Sequence, residues 1–413
     1  MWSMDEPITP VHRDPARQTA FAYAPNRALR HSTTPLLAGY LTFGLYWGVW
    51  VVVFADYLRV HGLTEGEAGI QMSILAVVSI LTMVFLSPRL QTLPLATAIA
   101  LALGTMGIGA VLIGYGASAA LLLGFVILGV GNGLIDVFMN VAAQGLEVRH
   151  RRPVLQWLHA SYAVGGICGA LGAGIATTAG VSFRVIVASA GILLFATMAW
   201  NYLSSHVRSL PRPAEADTRM SLTVFKRSRR LILPAIVIMF AFLVEGSMDV
   251  WSGVFLRNTL MASALVAGIA FAFFSAALAI GRLTAGRVLF GLGYHRTIIV
   301  SGIGAFVGGI VAASTNSPAV AGVAFLVLGF FIASAAPAAF GMVGDSEADP
   351  ALAVAAMSTV GYTGFVVGPP LMGWLAETAG LRLTMTSIAI CTLGVAITGL
   401  LDRMRAPPER KNE

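Results

Sequence analysis

Of the 413 residues, 57% are hydrophobic and only 11% charged, and the mean hydropathy is +0.81. A soluble domain carries about 25% charged residues, so this chain cannot cover a surface that faces water on all sides, and a water-soluble enzyme or binding module is excluded. The net charge of +7 raises nucleic acid as a partner, but the distribution of the basic residues argues against it below.

The chain opens on a polar stretch, residues 1–34, in which Pro7, Pro10, Pro15 and Pro25 stand among charges of both signs. It lacks the short apolar core of a signal peptide and reads as a disordered cytoplasmic tail. A spanning helix needs about 20 apolar residues. Candidates follow near 35–57, 67–87, 93–114, 118–146, 154–180 and 183–204, which make a first bundle over 35–205. A basic linker, 206–230, separates them from candidates near 231–257, 263–288, 296–315, 318–343, 351–376 and 382–402. These make a second bundle over 231–402, with a short tail at 403–413. The expected fold is all-α and polytopic, with 12 transmembrane helices in two six-helix halves.

Lys and Arg collect in cytoplasmic loops. With the N-terminus inside, 22 of the 26 basic residues fall on the cytoplasmic side, and only Arg59, Arg184, Arg257 and Arg382 fall outside. The basic excess is therefore an orientation signal, which puts both termini in the cytoplasm and argues against nucleic acid. Cys168 and Cys391 lie in separate apolar segments, so no disulfide or metal site is indicated.

The halves resemble each other. Val49-Trp50-x-x-Val53-Phe54 recurs as Val250-Trp251-x-x-Val254-Phe255, Tyr162 as Tyr362, Thr178-Ala179-Gly180 as Thr378-Ala379-Gly380, and Ala68-Gly69-Ile70 as Ala267-Gly268-Ile269. The offsets all fall between 199 and 201 residues, and six spans per repeat leave both halves in the same orientation. Gly165, Gly169 and Gly172 are expected to bring the fifth helix close to a neighbour. The Gly-rich run Gly129-Val130-Gly131-Asn132-Gly133 follows no strand, and Gly344-Asp345-Ser346 has no partnered base. No P-loop, HExxH or nucleophile elbow occurs, so no enzyme and no cofactor are expected.

Within this apolar background the polar residues stand out. Asn132, Asp136, Asn140 and Gln144 recur every fourth residue, a stripe that drifts because each step overshoots the helical turn by about 40°. Glu245, Asp249 and Ser252 make a comparable stripe on the seventh span. A charge at mid-bilayer costs about 2.5–3.5 kcal/mol on insertion scales, so Asp136, Glu245 and Asp249 are expected to line a cavity or pair. There they are candidates for carrying a coupling proton. Asn140 and Asn132 are candidate solute ligands, with packing between helices the competing role. Tyr46, Trp47, Trp50 and Trp251 are candidates for stacking on a sugar ring or for anchoring at the interface. His159 is a possible proton relay or a structural histidine, and Asp56 and Arg59 are expected in a solvated setting at the outer end of the first span.

Across about residues 35–402 the chain resembles the major facilitator superfamily, on its twelve spans, its parallel repeat and its loop signature. After span eight, Gly281-Arg282-Leu283-Thr284-Ala285-Gly286-Arg287 keeps the Gly and Arg positions of that signature, with Gly286 where an Asp is usual; after span two only Pro88-Arg89 remains. Asp136-x-x-x-Asn140 is similar to the Glu-x-x-x-Asn element of fucose:proton symporters. NGLIDVFMN, HASYAVGGICGA and EGSMDVW look closer to a branch of poorly characterised inner-membrane permeases related to them. The resemblance implies alternating access, Asp136 as proton carrier, Asn140 as solute ligand, and Arg282 and Arg287 as candidates for a cytoplasmic gate. The expected protein is a monomeric inner-membrane carrier of a small polar solute and protons. Proton-driven efflux of drugs or metabolites, and a receptor that kept the fold without transport, are the alternatives.

Overall fold

The computed structural model describes residues 27–116, 119–150, 154–204, 207, 224–345 and 349–405. Most of the expected tails and linker, and Ser346, lie outside the described residues. Within them are twelve helices long and apolar enough to span a membrane: α1 (Thr33–His61), α2 (Glu65–Leu90), α3 (Leu95–Tyr115), α4 (Ala119–Glu147), α5 (Val154–Thr178), α6 (Phe183–Leu203), α7 (Arg229–Thr259), α8 (Ala264–Leu292), α9 (Tyr294–Ser314), α10 (Pro318–Gly344), α11 (Leu352–Ala379) and α12 (Leu381–Arg405). Helices suit this composition because lipid offers the backbone no hydrogen-bond partner, and a helix satisfies its own.

Local chemistry sets the ends. Thr64 caps α2 through a capping box with Glu67, and Ser263 and Ser317 cap α8 and α10. Gly180 and Gly380, at equivalent places in the two repeats, both end their helices at positive φ, 85° and 86°. This conformation is open to glycine at little cost. Both α2 and α7 relax into a π-helical turn near their ends, at Thr82–Leu86 and Phe255–Thr259. The α10 helix breaks at Ala333–Ser334 and restarts, with Pro337 in the first turn of its second piece.

Helices α1–α6 form one bundle and α7–α12 a second, and the principal packing within the first recurs six helices later. Thus α1 lies on α5 as α7 lies on α11, and α3 on α6 as α9 on α12. The α1–α5 contact is backbone on backbone. A Cβ on Gly165 would stand 2.0 Å from the Leu41 carbonyl oxygen, and one on Gly169 would stand 2.1 Å from that of Leu45. Gly172, expected on the same seam, has open space around its Cβ position. The seam advances in four-residue steps on both helices, so Ala173 is the next residue along it and Gly172 points away. The glycines of 129–133 are helical and serve packing as well: Gly129 and Gly133 lie against α2, and Gly131 against α3.

The bundles meet chiefly through α1 with α7, α2 with α11 and α5 with α8. The close glycine contacts between them sit toward one end of the molecule, the end carrying the α1–α2 and α7–α8 turns. Gly253 abuts Val51, Gly69 abuts Pro370 and Gly373, Gly174 abuts Ala264, and Gly268 abuts Ala170. Arg59, Arg184, Arg257 and Arg382 all lie toward this closed end.

Candidate functional site

Toward mid-span the interface between the bundles turns polar. Asp136, on α4, is half-buried and accepts on both carboxylate oxygens. One accepts from Asn140 Nδ2 at 3.3 Å, a bond the four-residue spacing builds into the helix. The other accepts from the Tyr362 hydroxyl at 3.2 Å, and Tyr362 belongs to α11 of the opposite bundle. Asn140 in turn accepts from the Tyr40 hydroxyl of α1 at 2.7 Å. The His159 ring of α5 stands edge-on to Tyr40, with centroids 5.5 Å apart. One connected network therefore ties α1, α4 and α11, with α5 against it.

The rest of the α4 stripe diverges from this network as its drift requires. Asn132 accepts from Trp47 Nε1 at 3.3 Å and donates to Ser79 Oγ at 3.2 Å, so its amide joins α1, α4 and α2. Gln144 is exposed.

A second cluster belongs to the C-terminal bundle. Glu245 of α7 is buried and pairs with Arg282 of α8 at 2.6 Å. The Arg282 side chain is 51% exposed although it lies within its span, so one side of the pair faces open space. Asp249 stands one turn from Glu245, half-buried, and among the described residues it forms no hydrogen bond. Tyr162 of α5, the repeat counterpart of Tyr362, lies within electrostatic range of Asp249, Arg282, Asp136 and Glu245. His159 has the same relation to Asp136 and Arg282. His159 and Tyr162 thus link the two clusters at the interface between the bundles. Arg287 is exposed and apart from both.

The aromatic candidates lie elsewhere. Tyr46 and Trp50 are 1% exposed and Trp251 is fully buried. Trp50 packs against Phe54, Tyr57 and Phe125; Phe54 stands edge-on to Trp251; and Trp251 donates to the Pro369 carbonyl at 3.0 Å. These rings are buried among the helices and offer no face to a solute in this conformation. Only Trp47 of the aromatic group touches the polar stripe.

Asp56 is buried, in contrast to the solvated setting expected for it. It takes both arms of the Arg257 guanidinium, one at 3.0 Å, and Arg59 at 3.1 Å. Arg257 also donates to the Val52 carbonyl. Nearby, Glu377 of α11 accepts from Thr64 Oγ1 at 3.2 Å and the Gly66 amide at 3.1 Å, covering the N-terminus of α2. The sequence alone does not single out Tyr40, Glu377 or the Asp56–Arg257 pair, and it marks Tyr362 only as the repeat counterpart of Tyr162. The signal for the pair was present, because the offset that aligns Trp50 with Trp251 also aligns Asp56 with Arg257.

Comparison with known proteins gives a consistent picture. The sequence model of the Major Facilitator Superfamily matches residues 36–346 and, separately, 251–413. An uncharacterized MFS-type transporter of Yersinia pestis is 30% identical over 280 residues, 67% of this chain and 71% of that protein. Membrane protein MosC of Rhizobium meliloti is 26% identical over 283 residues, 68% of each. Among solved structures, a bacterial homolog of the human lysosomal transporter Spinster, inward-facing and unoccupied, superposes with a TM-score of 0.76 at 15% identity, covering 93% of this chain and all of that one. The nucleoside transporter NupG superposes with a TM-score of 0.75 at 14% identity, over 91% of this chain. Twelve spans, a repeated six-helix bundle and this family match make the chain a multi-pass membrane transporter, and it belongs to the major facilitator superfamily.

Proposed function

We propose that the protein moves a small polar solute across the bacterial inner membrane by alternating access, coupled to a proton carried by Asp136. The orientation follows the basic residues: both termini are cytoplasmic, and the closed end, with its four arginines, faces outward. The conformation described above is then the inward-open one. The observation that best supports coupling is Asp136 itself, an acid at mid-span, half-buried and hydrogen-bonded to the opposite bundle. A carboxylate in that position favours one arrangement of the bundles when charged and another when neutral, the requirement for a proton to drive reorientation. Asn140, adjacent to it, and Tyr162 are the nearest polar groups for a hydroxyl-bearing solute. This agrees with the likeness of Asp136-x-x-x-Asn140 to the acid-and-amide element of fucose:proton symporters.

A second reading, efflux of a cationic solute, has one observation in its favour. Asp249 is a carboxylate with no hydrogen-bond partner among the described residues, one turn from an ion pair that Glu245 and Arg282 complete between themselves. An ammonium group would suit it.

Purified protein tested by thermal shift against sugars, polyols, nucleosides and cationic drugs selects the solute. Uptake of that solute into proteoliposomes under an imposed pH gradient then tests coupling. Binding without flux would identify a receptor and overturn the proposal, and flux indifferent to the gradient would remove the proton.

A further inference from the structure

We infer that Tyr362 is the positioning residue through which the charge on Asp136 reaches the opposite bundle: its hydroxyl latches α11 to α4 when Asp136 is ionised and lets go when Asp136 is protonated. This rests on the reading of Asp136 as the coupling acid and adds the part that converts its charge into movement.

The geometry carries the inference. Among the described residues the Asp136 carboxylate has two hydrogen-bond partners, and they differ in kind. Asn140 lies on the same helix and moves with Asp136, so that bond cannot report on the bundles. Tyr362 lies on α11, 226 residues away in sequence, and bridges the interface at mid-span, away from the backbone contacts of the closed end. A hydrogen bond to an ionised acceptor is about twice as strong as one to a neutral group. Protonating the carboxyl therefore weakens the bridge while leaving Asn140 in place. Because the bridge is made in the conformation described here, the population of that conformation rises as Asp136 loses its proton.

The surroundings restrict the pH dependence to few groups. Facing Asp136 are Tyr40 from α1, His159 and Tyr162 from α5, Tyr362 from α11 and, farther off, Arg282 of α8 with Glu245 and Asp249 of α7. The α3 helix contributes no charged side chain, and those of α2 (Glu65, Glu67 and Arg89) sit at its ends. The tyrosines and Arg282 keep their protons through neutral pH, which leaves His159 in the immediate shell and Asp249 beyond Tyr162 as the competing switches.

The test needs no solute. Spin labels on Arg149→Cys and Val354→Cys, at the open end of α4 and α11, report the bundle separation in a background with Cys168 and Cys391 replaced by Ser. From acidic to alkaline buffer, the ratio of open to closed populations is expected to rise about tenfold in the parent, the equivalent of one charge-assisted hydrogen bond. Tyr362→Phe, which removes one oxygen, is expected to flatten that response as fully as Asp136→Asn. Tyr40→Phe, which alters the same network inside one bundle, His159→Gln and Asp249→Asn are all expected to retain it. A full response in Tyr362→Phe with none in Asp136→Asn overturns the latch and spares Asp136 as the coupling acid. A response that survives Asp136→Asn overturns both, and one lost equally in Tyr40→Phe overturns the latch.

Discussion

Asp56 and Arg257 occupy equivalent positions of the two repeats, 201 residues apart, and pair with each other across the bundle boundary. An axis relating the bundles passes between α1 and α7, so a residue on that axis meets its own counterpart. Like charges there would repel. The two halves carry opposite charges instead, and the result is a pair whose side chains are only 11% and 12% exposed.

Breaking this pair should loosen the closed end. Removing one partner of a buried ion pair costs about 3–5 kcal/mol because the other is left uncompensated. Asp56→Asn or Arg257→Gln should therefore speed labelling of a cysteine placed at the buried Ser252 by a membrane-impermeant maleimide. The exchanged variant, Asp56→Arg with Arg257→Asp, should recover much of the protection. No difference between the single and exchanged variants would show that the pair does not hold this end shut.

The α1–α5 seam predicts a local intolerance. Gly165→Ala places a methyl against the Leu41 carbonyl, a backbone atom that cannot move without its helix. A loss of about 1–3 kcal/mol is expected from such overpacking. Gly172→Ala should be neutral, since its Cβ position is open. The unfolding midpoints of the two variants in detergent compare them directly.

Glu245 and Asp249 should prove partly interchangeable as partners of Arg282. Glu245→Gln leaves Asp249 one turn away to receive the guanidinium, and Arg282 is half exposed, so the single change should cost about 1 kcal/mol or less. Glu245→Gln with Asp249→Asn removes both carboxylate charges and should cost more than the sum of the separate changes. A strictly additive pair of unfolding midpoints would show that Asp249 does not substitute.

Tyr46 tests the fate of the aromatic rings. Its hydroxyl is buried with no hydrogen-bond partner among the described residues. Tyr46→Phe removes a polar group that burial penalises and should be neutral or stabilising by about 1 kcal/mol. Solute affinity should be unchanged, since the ring is buried; a large loss of affinity would bring Tyr46 back to the solute.

These residues also show what could be read without coordinates. The spans were legible because bilayer thickness sets a helix length and lipid excludes charge; α4 was expected over 118–146 and runs Ala119–Glu147. The repeat was legible because the matched motifs share nearly one offset, 199 to 201 residues. The Asp136–Asn140 bond was legible because a helix brings residues four apart together. The other contacts depend on a second helix. Asp56 at a span end has the same hydropathy whether water or Arg257 faces it. Tyr362 in an apolar run does not disclose whether lipid or a carboxylate lies opposite. Trp50 and Trp251 were found as a repeated pair, yet residue type does not say whether a ring faces a chamber or its own counterpart's helix. Gly172 shows the same limit, since helical spacing put it near a seam whose course depends on how α1 crosses α5.

The central claim is that Asp136 carries the proton that drives transport. Counterflow and uphill uptake of the identified solute, measured side by side in proteoliposomes of the Asp136→Asn variant, test it most directly. Retained exchange between equal pools with no accumulation under a pH gradient is the predicted result. Accumulation at the parental level would contradict it.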